Sequence, residues 1–184
     1  SRTTQWQTPA NYTSSNPALC SIAFWFKADT LGLDAGYGGL GVTSFHGLDF
    51  GLAKRNTDAE LIYWDDVSNS RRSVTVGTGT RYGQGLVHLA ATYSVELNQI
   101  KYYENGVLTV TSNPATPLAN LELTNKRWGV MLDSSGGATN AHQEDMRIYE
   151  RLLSDAEVAY LALSPNIEGG IGGTHVHRTL LGVG

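Results

Sequence analysis

Apolar residues alternate with polar or small residues along most of this chain, in the period of two that is typical of β-strands. The run "SIAFWFKAD" shows it best, because Ile22, Phe24 and Phe26 alternate with Ala23 and Trp25. Large side chains therefore project from both faces of this strand. Burial on both faces is expected of a strand in the middle of a sheet, and the pattern predicts a central strand here.

Several other segments carry the same alternation and are separated by turn-forming residues. The predicted strands are "AELIYWDD", "RRSVTVG", "GLVHLAATYSV", "QIKYYE", "GVLTVTS" and "RWGVMLDSS". In the glycine-rich stretch after residue 35, the apolar residues predict two short strands, around Val42–Phe45 and Leu48–Leu52. Many short strands at close spacing, rich in aromatic residues, predict an all-β fold made of two packed antiparallel sheets.

The pair Asn105-Gly106 lies between two alternating segments. Both central positions of a type I′ turn need a positive φ angle, which Asn and Gly adopt most readily. The sequence therefore predicts a β-hairpin with its turn at these two residues.

The stretch from residue 144 to residue 161 contains the one clear helical signal. A short strand at Met146–Tyr149 is followed by Ser154 and Glu157, which have the spacing of a reciprocal capping box. Leu153 before the cap is placed to pack on Val158. The pattern predicts a short helix over about residues 155–163. So short a helix is not stable alone in water, and we expect it to cap an open end of the two sheets.

Composition agrees with one β-rich domain. Charged residues make up only 16% of the 184 residues, and there are 21 glycines. The net charge of −4 is dispersed, which gives no basic surface for nucleic acid. Cys20 is the single cysteine, so an internal disulfide is excluded and a buried, inert thiol is expected. The first residues contain no apolar signal core, and no segment is long enough for membrane insertion.

The segment "MRIYERLLSDAEVAYL" resembles the closing motif of the concanavalin A-like lectin/glucanase superfamily, in its laminin-G-like branch. The residues that carry the motif are Arg147, Ile148, Tyr149, Arg151, Leu153, Ser154, Glu157 and Val158. The segments "SIAFWFKAD" and "VHLAATYSVELNQIKYYENGVLT" resemble earlier strands of that family. The resemblance covers roughly residues 1–163. It implies a two-sheet antiparallel jelly-roll sandwich with one short C-terminal helix, in a domain over residues 1–164.

Hydrolytic members of this superfamily carry carboxylates that alternate along one strand, where retaining glycosidases need a pair about 5 Å apart. No such run is present. Glu144 and Asp145 are adjacent, so a regular strand would place them on opposite faces. We therefore expect no enzymatic activity and assign no catalytic residue; a glycoside hydrolase with an unfamiliar carboxylate pair is a distant alternative.

The resemblance suggests calcium as a candidate cofactor, because relatives often bind it through acidic residues just before the Arg-Ile-Tyr motif. Here the candidate ligands are Glu144 and Asp145, with Asp133 and Asn140 from the neighbouring loop. The alternative is that Asp145 orients Arg147 or caps a turn. A few acidic loop residues are an unspecific signal, so the second interpretation is favoured and no cofactor is required.

Three aromatic residues in or near predicted loops, Tyr37, Trp64 and Tyr82, are candidates for stacking on sugar rings. The alternative is that they belong to the core, which is the commoner place for aromatic residues in sandwiches. The glycan itself is not indicated by the sequence.

Residues 165–184, called here the C-terminal arm, follow the predicted domain. Glycines at its start indicate a linker, and Val176, Leu180 and Leu181 are apolar groups available for docking. We expect the arm to bind a neighbouring subunit of an assembly, or alternatively to add a strand to its own domain. The favoured hypothesis is a lectin-like structural component of a phage virion surface, such as a capsid decoration or tail protein made in the cytoplasm. The alternative is a carbohydrate-binding module, and a decoration protein that binds host glycans would combine both.

Overall fold

The computed structural model of the chain describes residues 5–7, 18–30, 34–41, 48–55, 58–65, 70–78, 85–121, 127–131 and 140–163. These ranges contain eleven strands and one helix. The strands are β1 (Gln5–Gln7), β2 (Leu19–Thr30), β3 (Asp34–Gly41), β4 (Leu48–Arg55), β5 (Asp58–Asp65), β6 (Ser70–Thr78), β7 (Val87–Ser94), β8 (Gln99–Glu104), β9 (Val107–Ser112), β10 (Arg127–Met131) and β11 (Asn140–Tyr149), and the helix is α1 (Asp155–Leu161).

The strands form two antiparallel sheets, as the sequence predicts. The first is six-stranded, in the order β1-β10-β3-β4-β5-β6, and the second is five-stranded, in the order β11-β2-β7-β8-β9. Neighbours in the sheets are often distant in sequence, which is the jelly-roll arrangement. The predicted central position of β2 is confirmed, because β2 pairs with β11 on one side and with β7 on the other.

The main core lies between the two sheets. Phe24 and Phe26 of β2 are completely buried there, beside Leu89 of β7. Phe50 of β4 meets Tyr93 of β7 with ring centroids 5.2 Å apart, so aromatic rings join one sheet directly to the other. These side chains come from alternate positions of their strands, as the alternation of apolar residues in the sequence predicts.

Cys20 lies in this core and is completely buried. Burial raises the pKa of its thiol to about 12, so the thiol is protonated and inert, as expected. The helical part of the described chain contains no segment with the length and apolar character needed to cross a bilayer.

The predicted hairpin is confirmed at β8 and β9. Asn105 and Gly106 both have positive φ angles, of 50° and 79°. The turn is anchored through Asn105, whose side-chain oxygen accepts from the backbone N–H of His88 at 3.0 Å. The backbone N–H of Asn105 in turn donates to the carbonyl of His88 at 2.8 Å.

Strand β3 lies in a segment for which no strand was predicted. The strand lies at Asp34–Gly41, ahead of the predicted run at Val42–Phe45, which is outside the described residues. Glycines in this segment indicated bends, yet β3 pairs with both β10 and β4 in the middle of the sheet. The glycines give this segment a low propensity for β-structure, and backbone pairing on both sides stabilises it as a strand. The pairing with β4 is irregular at one place, where the register shifts between Gly36 and Gly38. The next strand begins at Leu48 as predicted.

The helix also lies elsewhere than expected. It begins after Ser154 as predicted and ends at Leu161, but it does not cap an open end of the sandwich. Val158 and Leu161 are buried against Ala23, Ala90 and Tyr103, which belong to the five-stranded sheet and alternate with its core residues. The helix therefore covers the outer face of that sheet.

Candidate functional site

The outer face of the five-stranded sheet carries a second buried cluster, separate from the main core. Across this face Arg147, Ala23, Ala90 and Tyr103 lie opposite one another on four consecutive strands. The two alanines in the middle of this row are small, so α1 can approach the sheet closely. The whole cluster consists of Ala23, Ala90, Tyr103, Tyr149, Leu153, Val158 and Leu161.

The start of α1 is fixed by the predicted capping box. The hydroxyl oxygen of Ser154 accepts from the backbone N–H of Glu157 at 3.2 Å, and the Glu157 carboxylate accepts from the backbone N–H of Ser154 at 2.8 Å. The guanidinium of Arg151 donates to both carboxylate oxygens of Glu157, at 2.7 and 3.1 Å. The hydrogen bonds from Arg151 and then from Ser154 lower the pKa of Glu157 to about 2, so the carboxylate is ionised at neutral pH.

Two further contacts attach the helix segment to the sheet. The hydroxyl of Ser21 on β2 donates to the carbonyl of Arg151 at 2.8 Å and accepts from the backbone N–H of Leu153 at 3.0 Å. The phenol of Tyr103 donates to the carboxylate of Asp155 at 2.7 Å. Burial and this hydrogen bond raise the pKa of Tyr103. The part of this face that α1 covers is therefore buried and contributes to the stability of the fold.

The next row on the same face is different in character. Trp25 lies opposite Glu144 on one side and His88 on the other. The rings of Trp25 and His88 meet edge to face with centroids 5.4 Å apart. Trp25 is partly exposed, whereas only 2% of the His88 surface is accessible.

The electrostatic state of this pair follows from its burial. Both Nε1 of Trp25 and Nδ1 of His88 are buried, and neither has a hydrogen-bond partner among the residues that the structure describes. Burial, together with the positive charge of Arg147, lowers the pKa of His88 to about 4. The imidazole is therefore uncharged at physiological pH, with its ring against the indole.

Sequence reasoning did not single out this pair. The available signals were the position of Trp25, which alternates with the core residues Phe24 and Phe26, and the position of His88 within an otherwise apolar run. Neither signal reveals that the two rings meet, because their strands are far apart in the sequence and only the register between β2 and β7 brings them together.

Asp145 lies at a bulge in β11. Glu144 pairs with Trp25 and Arg147 pairs with Ala23, so two residues of β11 oppose one residue of β2 between these pairs. The regular alternation assumed for Glu144 and Asp145 does not hold here. Asp145 has a φ angle of 49°, a left-handed conformation that Asp tolerates better than most residues.

The carboxylate of Asp145 forms a bidentate ion pair with Arg147. The guanidinium Nε donates to Oδ1 at 2.8 Å, and a terminal nitrogen donates to Oδ2 at 2.7 Å. Both side chains are largely buried, with 15% and 13% of their surfaces exposed. Burial alone would lower the pKa of Arg147, but the bonds to Asp145 outweigh it and raise that pKa. Both oxygens of Asp145 are thus engaged by a cation of the protein itself.

This arrangement does not fit Asp145 as a calcium ligand unless the ion pair opens. Of the other candidate ligands, Glu144 is the neighbour of Asp145 in β11 and pairs with Trp25. Asn140 is the first residue of β11 and pairs with Thr30, while Asp133 lies outside the described residues. No group of three or more His, Cys, Asp or Glu side chains that could hold a metal ion occurs in the part of the chain that the structure describes.

Two of the aromatic residues proposed for sugar stacking, Tyr37 and Trp64, lie on different strands. Tyr37 lies on β3, at the register shift between Gly36 and Gly38, and Trp64 lies on β5, where it pairs with Arg71. Strand β4 separates β3 from β5 within the six-stranded sheet. Tyr82 is outside the described residues, and so are Val176, Leu180 and Leu181 of the C-terminal arm.

The fold is similar to that of several solved receptor-binding domains of botulinum neurotoxins. The domain from mosaic serotype C/D has a TM-score of 0.59 at 16% identity, over 79% of this chain and 36% of that chain. The serotype D ligand-binding domain in complex with N-acetylneuraminic acid has a TM-score of 0.56 at 17% identity, over 78% of this chain and 36% of that chain.

A structure of botulinum neurotoxin type C, a toxin whose cell entry depends on interaction with two ganglioside molecules, has a TM-score of 0.61 at 12% identity. The match covers 82% of this chain and 36% of that chain. The chain thus spans about a third of the length of these neighbours. At such low identities the similarity establishes the fold alone.

No curated protein matches the sequence. Residues 1–159 match the laminin-G-like family of the concanavalin A-like lectin/glucanases superfamily. The match includes the Arg-Ile-Tyr strand, the cap at Ser154 and the first residues of α1. The two-sheet jelly roll agrees with it, and the chain belongs to the concanavalin A-like lectin/glucanase superfamily.

Proposed function

We propose that this protein is a non-enzymatic, lectin-like module that recognises glycans on cell surfaces. The observation that carries the proposal is the concanavalin A-like sandwich itself, matched over residues 1–159. Two neighbours of the same fold add support, since one was solved with N-acetylneuraminic acid and the other enters cells through ganglioside molecules. Sialic acid-bearing glycolipids are therefore the first probes to use.

The proposed binding residues are Tyr37, Trp64 and Tyr82, and the first two belong to the six-stranded sheet. The other sheet is covered by α1 around Ala23 and Ala90, which removes that part of the molecule from contact with a ligand. Aromatic rings stack on the apolar faces of sugars, and truncating a stacking ring commonly weakens binding by about tenfold. The six-stranded side is accordingly the proposed glycan-binding side.

The test measures binding of the full chain to phosphatidylcholine liposomes with and without a sialylated ganglioside. Trp64→Ala and Tyr37→Ala are compared with Tyr160→Ala, which removes an exposed aromatic ring from α1, on the other sheet. We expect ganglioside-dependent binding that the first two substitutions weaken about tenfold and the third leaves unchanged. Equal binding to both liposomes, or equal loss in all three variants, would contradict the proposal.

The absence of enzymatic activity is part of the same proposal. Glu144 and Asp145 are the acidic pair nearest to the family motif, and the carboxylate of Asp145 is held by Arg147. A general acid or nucleophile needs a carboxylate that is free to reach the substrate. Release of reducing sugar from β-glucans that disappears in Glu144→Gln would overturn this part.

A second candidate function is favoured by the sequence of the C-terminal arm, in which Val176, Leu180 and Leu181 are apolar groups available for docking. In it, the protein is a surface component of an assembly such as a phage virion, attached through the C-terminal arm, residues 165–184. Its partners would be neighbouring protein subunits. Glycan recognition and assembly are compatible, because a virion surface protein can bind host glycans. Immunogold labelling of purified virions would test the location, and labelling of unassembled protein only would contradict it.

A further inference from the structure

The turn between β8 and β9 contains the one Asn-Gly pair of the sequence, Asn105-Gly106, and the sequence has no Asp-Gly pair. Asn-Gly is prone to spontaneous deamidation, because glycine has no side chain to hinder attack by its backbone nitrogen on the preceding carboxamide. Asparagine is for this reason counted among the thermolabile residues. Asn105 is exposed and Gly106 is half-buried, so water reaches the turn.

The reaction uses only the chain and the solvent. The backbone nitrogen of Gly106 gives up its proton to solvent base and attacks Cγ of Asn105, so that a C–N bond forms and the bond from Cγ to Nδ2 breaks. Nδ2 takes up a proton from the solvent and leaves as ammonia. Water then opens the resulting succinimide at one carbonyl or the other, which gives aspartate or isoaspartate at position 105.

In the folded protein the carboxamide of Asn105 is held towards β7. Its Oδ1 accepts from the backbone N–H of His88 at 3.0 Å, and the backbone N–H of Asn105 donates to the carbonyl of His88 at 2.8 Å. Strand β7 lies on one side of β8, whereas Gly106 leads into β9 on the other side. The two hydrogen bonds therefore restrain the carbon that must be attacked.

The attacking nitrogen is restrained as well. A Cβ on Gly106 would lie 2.9 Å from Cα of Ala159 and 3.0 Å from Cβ of Ala162, so the backbone of Gly106 lies directly against α1. Closure of the succinimide ring requires the peptide between Asn105 and Gly106 to rotate relative to the carboxamide. The packing of α1 on Gly106 restricts that rotation.

We propose that Asn105 is a site of spontaneous deamidation that is unreactive in the folded protein and becomes reactive when α1 leaves the hairpin. The helix covers Gly106, and its buried residues Val158 and Leu161 hold it on the five-stranded sheet. Opening of this one short helix exposes less apolar surface than separation of the two sheets, and so requires less free energy. Deamidation should therefore follow local opening rather than global unfolding.

The two products have different consequences for the fold. Aspartate keeps an oxygen that accepts from the N–H of His88 and tolerates the positive φ angle, so the turn is preserved. Isoaspartate carries the main chain through its side-chain methylene, which lengthens the turn. A longer turn does not keep both the pairing of Glu104 with Val107 and the contact of Gly106 with α1. Formation of isoaspartate therefore makes the release of α1 permanent.

The first measurement compares deamidation of the full chain in buffer and in urea, in mildly alkaline solution. Peptide mapping by mass spectrometry detects the change at residue 105, and labelling with an isoaspartyl methyltransferase quantifies isoaspartate. A synthetic peptide of residues 101–109 has neither β7 nor α1 and gives the unrestrained rate in both solvents. We expect the folded chain to react at least about tenfold more slowly than the peptide, and the chain in urea to react at the rate of the peptide.

Two matched variants test whether α1 controls the reaction. Val158→Ala removes buried methyl groups that hold α1 on the sheet, and Val76→Ala makes the same change in the main core, on β6 of the other sheet. At equal free energy of unfolding, adjusted with low concentrations of urea, Val158→Ala should deamidate about threefold faster or more than Val76→Ala.

Hydrogen–deuterium exchange of the α1 amides tests the consequence of the modification. Asn105→Asp should keep these amides as protected as in the parent chain, whereas the purified isoaspartate form should lose at least about tenfold in protection. An isoaspartate form with a fully protected helix would contradict the proposal.

The rates provide the other outcomes against it. A folded chain that deamidates as fast as the peptide would overturn the proposal, because the turn would then not protect its own asparagine. Equal rates in Val158→Ala and Val76→Ala would overturn it too, since global unfolding rather than release of α1 would control the reaction. An unfolded chain that forms no isoaspartate at residue 105 would exclude the site altogether.

Discussion

Gly106 in the turn between β8 and β9 lies directly against Ala159 of α1. A Cβ atom on Gly106 would approach Cα of Ala159 to 2.9 Å, closer than carbon atoms pack in proteins. The glycine that the turn needs for its φ angle of 79° is thus also the glycine that lets the helix lie on the sheet. The hairpin and the helix are coupled at this point.

We predict that Gly106→Ala lowers the free energy of unfolding by about 2 to 4 kcal/mol, through backbone strain and the displaced helix together. Gly85→Ala is the control. Its φ angle of 148° also strains an alanine, but nothing lies within 4 Å of the added carbon, so a loss of about 1 kcal/mol is expected. Urea denaturation measures both. Equal losses in the two variants would show that the helix contact contributes nothing.

The sequence predicted those features whose causes are local. The turn at Asn105 and Gly106 follows from the φ angles that two adjacent residues allow, and the helix start follows from Ser154 and Glu157 three residues apart. These features need no knowledge of the rest of the fold, and the structure confirms them. The spacing and aromatic content of the strands predicted two packed sheets, and the family motif added the jelly-roll arrangement.

Features that depend on pairing between distant segments were not predicted. The helix was expected at an open end of the sandwich, because Ala23 and Ala90 read as unremarkable small residues in their strands. Only the register of β2 with β7 places the two alanines side by side, where Val158 packs in the same buried cluster. The contact of Asp145 with Arg147 was the favoured interpretation of these residues, and the structure shows it. The bulge in β11 that gives this contact its geometry was not predicted, because it depends on the register with β2.

The capping box at Ser154 gives a second prediction. Ser154→Ala removes the acceptor for the backbone N–H of Glu157 and should lower the free energy of unfolding by about 1 kcal/mol. Ser154→Asp keeps an acceptor at the same position and should retain most of the stability. Thermal and urea unfolding of the two variants provide the measurement, and an unchanged midpoint for Ser154→Ala would show that the cap is not formed in solution.

The ion pair of Asp145 and Arg147 gives a third prediction. Asp145→Ala leaves a largely buried guanidinium without its partner and should cost about 2 to 3 kcal/mol. Asp145→Asn keeps the tolerance for a positive φ and one acceptor oxygen, so its cost should be smaller, about 1 kcal/mol.

Calcium separates the two interpretations of Asp145. With its carboxylate engaged by Arg147, we expect millimolar calcium, or its removal with a chelator, to leave the unfolding midpoint of the parent chain unchanged. If calcium raised the midpoint of the parent chain and not that of Asp145→Asn, the carboxylate would be a metal ligand and the ion pair a feature of the calcium-free protein.

The last prediction concerns acid stability and follows from His88. Its pKa is lowered from 6.5 to about 4 in the folded chain by burial and by the charge of Arg147. In the unfolded chain the imidazole binds a proton below about pH 6.5, while the folded chain keeps it neutral until about pH 4. The unfolded state therefore gains stability as pH falls through this window. By linkage the free energy of unfolding should drop by about 2 to 3 kcal/mol between pH 7.5 and pH 4.5.

His88→Leu isolates this effect. It removes the titrating ring but keeps the backbone N–H and carbonyl that hold Asn105, so the hairpin turn is preserved. The pKa of Glu157 is lowered to about 2, and the stability that its ionised form contributes is lost only as pH falls below its ordinary value of 4.5. Urea denaturation at pH 7.5 and pH 4.5 should then show the drop in the parent chain and most of it abolished in His88→Leu. If both chains lost the same stability, the acid sensitivity would arise from other groups, and His88 would be accessible to protons in the folded state.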